Sequence, residues 1–302
     1  MPRTKRSVNK FSLSSPAKLN LALQITGRDA DGFHLLNTVF ERISLADRID
    51  FKSAADEGIR ITCSHPDVPC DERNLVYKAA LALRQATGVV QGANIHIQKT
   101  IPVAAGLAGG SSNGATALLG LNKLWNLKLP HPVLLKLAKK LGSDIAFFLH
   151  DASFALGTRR GERIRLLPIK HRFWHVLITD KQPLLTKDVY GVFAAKFLAE
   201  AKGKGVFTKK SADVRMLIRS LKQNDVAAAQ KVLFNDLEGP IRVLRPGLLK
   251  LKDKVVKQAG AGVCFSGSGP SIFALTQSKA EAERIAGVFR SAYEQVFVVR
   301  TA

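Results

Sequence analysis

Residues 102–112, Pro102-Val103-Ala104-Ala105-Gly106-Leu107-Ala108-Gly109-Gly110-Ser111-Ser112, constrain this chain more than any other segment. They follow Ala93-Asn94-Ile95-His96-Ile97-Gln98, whose alternation of apolar and polar residues predicts a half-buried strand. They precede Ala117, Leu118, Leu121, Leu124 and Trp125, spaced as a helix stripe that Ser111 and Ser112 are placed to cap. A strand, a glycine-rich turn and a helix start bring backbone N–H groups and the positive end of a helix dipole close to an anion. Serine hydroxyls add hydrogen bonds to a phosphate or reach a cation bound to it. No Gly-Lys-Ser/Thr follows, so this is not a Walker A loop, and the glycine spacing is not that of a Rossmann fingerprint. A plain linker before a capped helix fits the same residues.

The rest of the pattern is mixed. Leu19 to Ile25 alternates at period two, and Arg60-Ile61-Thr62-Cys63 begins another strand. Asn74 to Thr87 is helical, with Leu75, Ala79, Ala82, Leu83 and Ala86 on one stripe and Gly88 as its stop. Pro132 opens a helix that turns Leu134, Leu137, Ala138 and Leu141 inward and ends at Gly142. A turn-rich charged stretch, Gly157 to Glu162, precedes the expected junction between an N-terminal domain, 1–166, and a C-terminal domain, 167–302. Beyond it come a lysine-rich loop, Ala201 to Lys210, a helical region near 211–233 and a glycine-rich strand-turn unit at 260–276. Strands and helices in this order indicate α+β architecture rather than a doubly wound sheet. Residues 1–10 are basic, lack the apolar core of a secretory signal and read as a frayed extension. There is no apolar run of about 18 residues, the length of a membrane span.

Lys and Arg number 46 against 24 Asp and Glu, a net charge of +22 that attracts polyanions and phosphorylated small molecules alike. The basic residues are scattered from end to end, with no RNA-binding or zinc-finger pattern, so they read as solvated surface and no nucleic-acid partner is expected. Three cysteines, Cys63, Cys70 and Cys264, suit a reducing, cytoplasmic setting. Cys63-Ser64-His65 followed by Cys70 matches no usual zinc spacing, and no protein metal site is expected.

Three further segments carry chemistry. Lys18, in Pro16-Ala17-Lys18-Leu19-Asn20, enters an apolar strand, where an ammonium needs an anionic partner unless it sits at a wet edge. Asp144, between the Gly142 stop and Ile145-Ala146-Phe147-Phe148, is either a helix cap or a partly desolvated base. Gly260 to Ser271 places a second glycine-serine loop between apolar strands, where a tight hairpin connection is the simpler alternative.

Together these four elements resemble the GHMP kinase superfamily, whose members include galactokinase, homoserine kinase and mevalonate kinase. Within it, the chain is similar to the branch that phosphorylates a methylerythritol carrying cytidine 5′-diphosphate. That similarity rests on Pro16-Ala17-Lys18-Leu19-Asn20-Leu21, Gly27-Arg28, Asp31-Gly32-Phe33-His34, Asn74-Leu75-Val76, Gly142-Ser143-Asp144, Asn235-Asp236-Leu237-Glu238 and Ser266-Gly267-Ser268-Gly269-Pro270. The resemblance implies an N-terminal domain like the second domain of ribosomal protein S5 and a ferredoxin-like C-terminal domain. It implies ATP over Pro102–Ser112, with Mg2+ held chiefly by phosphates and water. Lys18 and Asp144 match the catalytic pair: Asp144 takes the proton of the substrate's 2-hydroxyl, and Lys18 keeps Asp144 ionised and neutralises the transferring group. Phe33 and Tyr190 would sandwich the cytosine, His34 and Asn20 would hydrogen-bond it, and Thr186, Gly267 and Ser268 complete the substrate side. The chain departs from the branch at Phe33 for tyrosine, Gly114 for alanine and Ala146 for proline. A homoserine- or mevalonate-kinase-like activity, or a basic nucleic-acid-binding protein on an S5-like fold, are the alternatives. The Asp-Gly-Phe-His unit has no use in the first, nor the paired glycine loops in the second.

Overall fold

Two long strands organise the chain, β1 (Lys10–Arg28) and β2 (His34–Ser53). They belong to a computed structural model that describes residues 9–197 and 211–302. The contacts divide it into two units interleaved along the sequence. The first takes the chain up to Pro16, Ala46–Val103 and Gly109–Asp151; the second takes Ala17–Leu45, Ala104–Ala108 and Ala152–Ala302. The expected loop at 201–210 lies outside the described residues, as do residues 1–8 of the expected extension. Its last residue is already sheet: Lys10 opens β1, Asn9 O accepts from Ser53 N at 3.0 Å, and Phe11 stacks on Phe51 at 5.4 Å.

In the first unit, β3 (Ile59–Cys63) and β4 (Ala93–Gln98) pair in parallel, Ile61 opposite Ile95. Parallel neighbours need a crossover, and α1 (Leu75–Thr87) supplies it. β4 also runs antiparallel to β2, Ile49 opposite Ile97. The remaining elements are α2 (Gly109–Leu124), α3 (His131–Leu141) and α4 (Ile145–Leu149), all packed on one another. α1 starts where the Asn74 side chain accepts from Val76 N at 2.9 Å and ends at Gly88 in the left-handed region. Its buried face is Val76, Ala79, Ala80 and Leu83, rotated from the predicted stripe, because α1 packs on α2, α3 and β3 together. Ala86 is exposed.

In the second unit, β1 pairs in parallel with β8 (Phe234–Asn235), and β2 pairs antiparallel with β5 (Phe154–Arg159), which forms a hairpin with β6 (Arg163–Leu166). A separate antiparallel sheet has the order β11-β7-β10-β9, with β7 (Trp174–Ile178), β9 (Val263–Phe265), β10 (Ile272–Thr276) and β11 (Val296–Arg300). The helices are α5 (Thr186–Val192), continued by a π turn (Phe193–Phe197), α6 (Ser211–Lys222), α7 (Val226–Lys231), α8 (Glu238–Leu244), α9 (Pro246–Ala259) and α10 (Lys279–Phe289). Val176, Ile178, Phe265, Ile272, Leu251, Ile285 and Phe289 form its core. The α+β reading is borne out, and no described helix is long and apolar enough to cross a membrane.

Helix α2 approaches the Phe51 ring of β2 closely because Gly120 has no side chain. A Cβ there would stand 2.3–2.7 Å from ring carbons of the fully buried Phe51. Gly120→Ala is therefore expected to destabilise the protein by about 1–3 kcal/mol, the usual cost of an overpacked core. Urea unfolding checks this: the midpoint falls while the slope is unchanged.

Candidate active site

Lys18 is only 4% exposed on β1, so the wet-edge alternative is excluded. Its Nζ donates to the carbonyl of Gly106 at 3.1 Å and to Asn20 Oδ1, and lies 5.8 Å from the centre of the Phe40 ring. Such acceptors offset part of the cost of taking an ammonium out of water. Asn20 is held in turn: its Nδ2 donates to Thr38 Oγ1 at 2.7 Å, and Thr38 Oγ1 donates to Ala22 O at 2.8 Å. The Ser266 hydroxyl accepts from Asn20 N at 3.3 Å and donates to Gly106 O at 3.0 Å. Lys18 and Asn20, alternate residues of β1, therefore face a buried hydrogen-bond network rather than solvent.

That network joins the two glycine loops. Gly106 has φ +75°, and a Cβ on it would lie 2.1 Å from Ser266 O. Gly267 has φ +54°, and a Cβ there would meet Gly106 O at 3.1 Å and Lys18 Nζ at 3.4 Å. Asn235, to which no role was assigned from sequence, donates to the carbonyls of Phe265 at 3.0 Å and Gly267 at 2.7 Å. Residues 266–271 do connect the β9–β10 hairpin, but this packing gives the connection a second task. Along the first loop, Ala104, Gly106 and Ala108 all have positive φ, at 51°, 75° and 53°. Recurring left-handed residues turn neighbouring amides toward one side, the geometry of an anion-binding nest. Holding alanine there costs on the order of 1–2 kcal/mol per residue, strain typical of ligand clamps.

In the first unit, α2 begins at Gly109, so Ser111 and Ser112 stand inside its first turn and not at its cap. Ser112 Oγ instead meets Ser15 Oγ at 2.8 Å. Asp47, overlooked in the sequence, anchors this region. Fully buried, its carboxylate accepts from Thr100 N at 2.7 Å, Ile101 N at 2.8 Å, Asn113 Nδ2 at 2.9 Å and Lys99 Nζ at 2.5 Å. An acid inside an apolar strand, Leu45 to Ile49, was the available signal. Gly114 packs tightly too, since a Cβ would stand 3.2 Å from Leu75 Cβ. Asp144 occupies the N-cap position of α4 but makes no capping hydrogen bond, so the simple cap reading does not describe it. Among the described residues, no group of three His, Cys, Asp or Glu is gathered to hold a metal.

Phe33 projects from the turn between β1 and β2 and is 57% exposed. His34 is half-buried, its ring tilted 5.0 Å from Tyr190 and edge-on 5.6 Å from Phe193. Burial, and then the charge of Arg28, hold His34 below its ordinary pKa, so the imidazole is neutral at pH 7. Arg28 Nε donates to His34 Nε2 at 3.4 Å, which leaves the ring proton on Nδ1, free to donate. Thr186 Oγ1 and Ser268 Oγ are 2.9 Å apart. The second unit thus carries Lys18, Asn20, Ala104–Ala108, Phe33, His34, Thr186, Tyr190, Gly267 and Ser268; the first carries Asp144, Pro102, Val103 and Gly109–Ser112.

Family profiles match twice: GHMP kinases N terminal domain over residues 74–152, and GHMP kinases C terminal over 217–295. The 4-diphosphocytidyl-2-C-methyl-D-erythritol kinase of Brevibacillus brevis is 37% identical over 291 residues, 96% of each chain. The Bacillus subtilis protein of that name is 35% identical over 286 residues, 95% of each chain. A crystal structure of 4-(cytidine 5′-diphospho)-2C-methyl-D-erythritol kinase has a TM-score of 0.78 at 28% identity, covering 97% of this chain and 100% of its own. Homoserine kinase from Cytophaga hutchinsonii, TM-score 0.74 at 20% identity, covers 100% of this chain and 96% of its own and shares the fold.

Gly109 and Gly110 separate packing from ligand binding. A Cβ on Gly109 would meet Lys99 Nζ at 2.9 Å, whereas on Gly110 the nearest atom is Leu75 Cδ1 at 4.0 Å. Gly110→Val should leave the melting temperature near that of the parent, yet raise the ATP dissociation constant about tenfold or more, because the side chain occupies space that a phosphate needs. An ATP titration of the folded variant checks this; a plain linker at this position leaves the affinity unchanged.

Proposed function

We infer that this chain, which belongs to the 4-diphosphocytidyl-2-C-methyl-D-erythritol kinase family of GHMP kinases, transfers the γ-phosphoryl group of ATP to the 2-hydroxyl of 4-(cytidine 5′-diphospho)-2-C-methyl-D-erythritol. The product feeds the non-mevalonate supply of isoprenoid precursors. The observation that carries the reading is the buried Lys18 ammonium, held between Asn20 and the Gly106 carbonyl of a loop with recurrent left-handed residues. The homoserine- and mevalonate-kinase readings have no such support: their likeness is one of fold, at 20% identity and below.

Phosphoryl transfer depends mainly on positioning and on stabilising charge as it spreads over the equatorial oxygens. Asp144 takes the proton as the 2-hydroxyl oxygen bonds to the γ-phosphorus and the bond to the β–γ bridging oxygen breaks, releasing ADP. Lys18 supplies positive charge, and the amides of residues 104–110 donate to phosphate oxygens. The amide of Asn20 accepts from Lys18 and donates to Thr38, so it orients the ammonium, and its second N–H is the donor for the expected bond to the cytosine. The neutral His34 donates from Nδ1 to an acceptor on the cytosine edge, beside Phe33 and Tyr190. Thr186, Ser268 and Gly267 border the remainder of the substrate. Bound with ATP, Mg2+ would neutralise phosphate charge, with the Ser111 hydroxyl to assist and the cation held chiefly by phosphates and water. We place the boundary of the two family domains at 166/167, within the interval between the matched segments. A cytoplasmic location suits the three free cysteines.

Asp144→Asn should retain ATP affinity while lowering kcat about 100-fold or more, the scale of a lost general base; wild-type turnover by the folded variant removes Asp144 from the mechanism. For the nucleobase, Phe33→Ala should raise the KM of the cytidine substrate about 5- to 150-fold, the range of base–aromatic stacking, with the KM of ATP unmoved. Equal losses for both substrates assign Phe33 to packing.

A further inference from the structure

Phe33 is a large apolar side chain more than half exposed, yet one face of its ring is covered. The guanidinium carbon of Arg160 lies 4.1 Å from the ring centre. Arg160 sits at the tip of the β5–β6 hairpin, between Arg159 with φ +60° and Gly161 with φ +101°. Its Nε donates to Asp29 Oδ2 at 2.5 Å, and its terminal nitrogen donates to Asp31 Oδ2. Asp29 closes the turn on its other side, Oδ1 accepting from Asp31 N at 3.1 Å and Phe33 N at 2.9 Å. Backbone bonds from Asp29 N to Phe33 O at 2.9 Å and from Gly32 N to Asp29 O at 3.0 Å complete it, with Gly32 at φ +82°. Burial opposes the charged form of Asp29, but the bond from Arg160 and the two N–H donors outweigh it and hold the carboxyl below its usual range.

We propose that Arg160 is the specificity-determining positioning residue of the substrate side: it clamps the 29–33 turn and backs the Phe33 ring, so that a pyrimidine nucleoside diphosphate ester stacks on the ring's other face. This rests on the reading of Phe33 as the nucleobase platform. The planar guanidinium is suited to both tasks at once. It donates to two carboxylates while its central carbon lies over the ring, a combination that a compact ammonium is poorly shaped for. Without it, that face of the phenyl loses its cation, and Asp29 and Asp31 lose the charge that neutralises them next to the site where a diphosphate must enter. Ordering the ring in advance removes an entropic cost from binding.

The test compares Arg160→Met, Arg160→Lys and Phe33→Ala, with the double variant Arg160→Met/Phe33→Ala, in the full-length chain. Arg160→Met should raise the KM of the cytidine substrate about 3- to 30-fold, the span of cation–π energies, with kcat and the KM of ATP within twofold of the parent. Arg160→Lys should recover little of that loss, and Arg160→Met should add nothing further once Phe33 is alanine. A large effect of Phe33→Ala with none from either Arg160 variant overturns the proposal while leaving the platform intact. No effect of Phe33→Ala overturns the platform itself. Where Arg160→Met melts too low to assay, Arg160→Lys decides alone: parent-like KM values for both substrates refute the stacking role.

Discussion

The buried ammonium of Lys18 is the constraint from which the rest of the second unit follows. A charge at 4% exposure persists only where acceptors are fixed in advance, and here they are the Gly106 carbonyl and the Asn20 amide. Fixing Gly106 O requires the loop around it to adopt left-handed φ, and it requires Ser266 to donate to the same oxygen. Fixing Asn20 requires Thr38 on β2. The lysine, the turn around Gly106 and the C-terminal glycine loop are thus one hydrogen-bonded assembly.

Glycine acts here by absence. At Gly106 and Gly120 a single methyl group would drive an atom into a neighbour at 2.1 Å and 2.3 Å, so the glycines set how closely backbone and ring approach. Gly110 differs, because among the described residues the nearest atom to a Cβ there is Leu75 Cδ1, at an ordinary 4.0 Å.

The two carboxylate-rich regions show how environment divides labour among like residues. Asp47 is enclosed by four donors and holds Thr100, Ile101 and Asn113 in place, a structural charge beside the start of the loop. Asp29, half-buried, and Asp31, exposed, hold a guanidinium against an aromatic ring. Neither task is legible from the residue type. Both follow from how many donors surround the oxygens and from what the partner cation touches next.

Local signals in the sequence determined the elements. Alternation at Ala93–Gln98, the helix before the Gly88 stop and the Pro132 first turn each matched the structure, because stop signals and periodicity act within a few residues. The glycine loops and the unusual lysine were visible for the same reason: Gly106 and Lys18 are costly choices unless something nearby requires them. The sequence was less informative wherever a residue's task depends on partners far along the chain. Nothing in the sequence tells that the Asn20 amide meets Thr38, and the face of α1 is set by α2 and β3 rather than by its own stripe. Asp47 needed residues 53 and 66 positions away, and Arg160 meets Asp29 across 131. Tertiary structure alone decided these roles, because a hydrogen bond or a ring contact depends on distance in space, and separation along the chain does not report that distance.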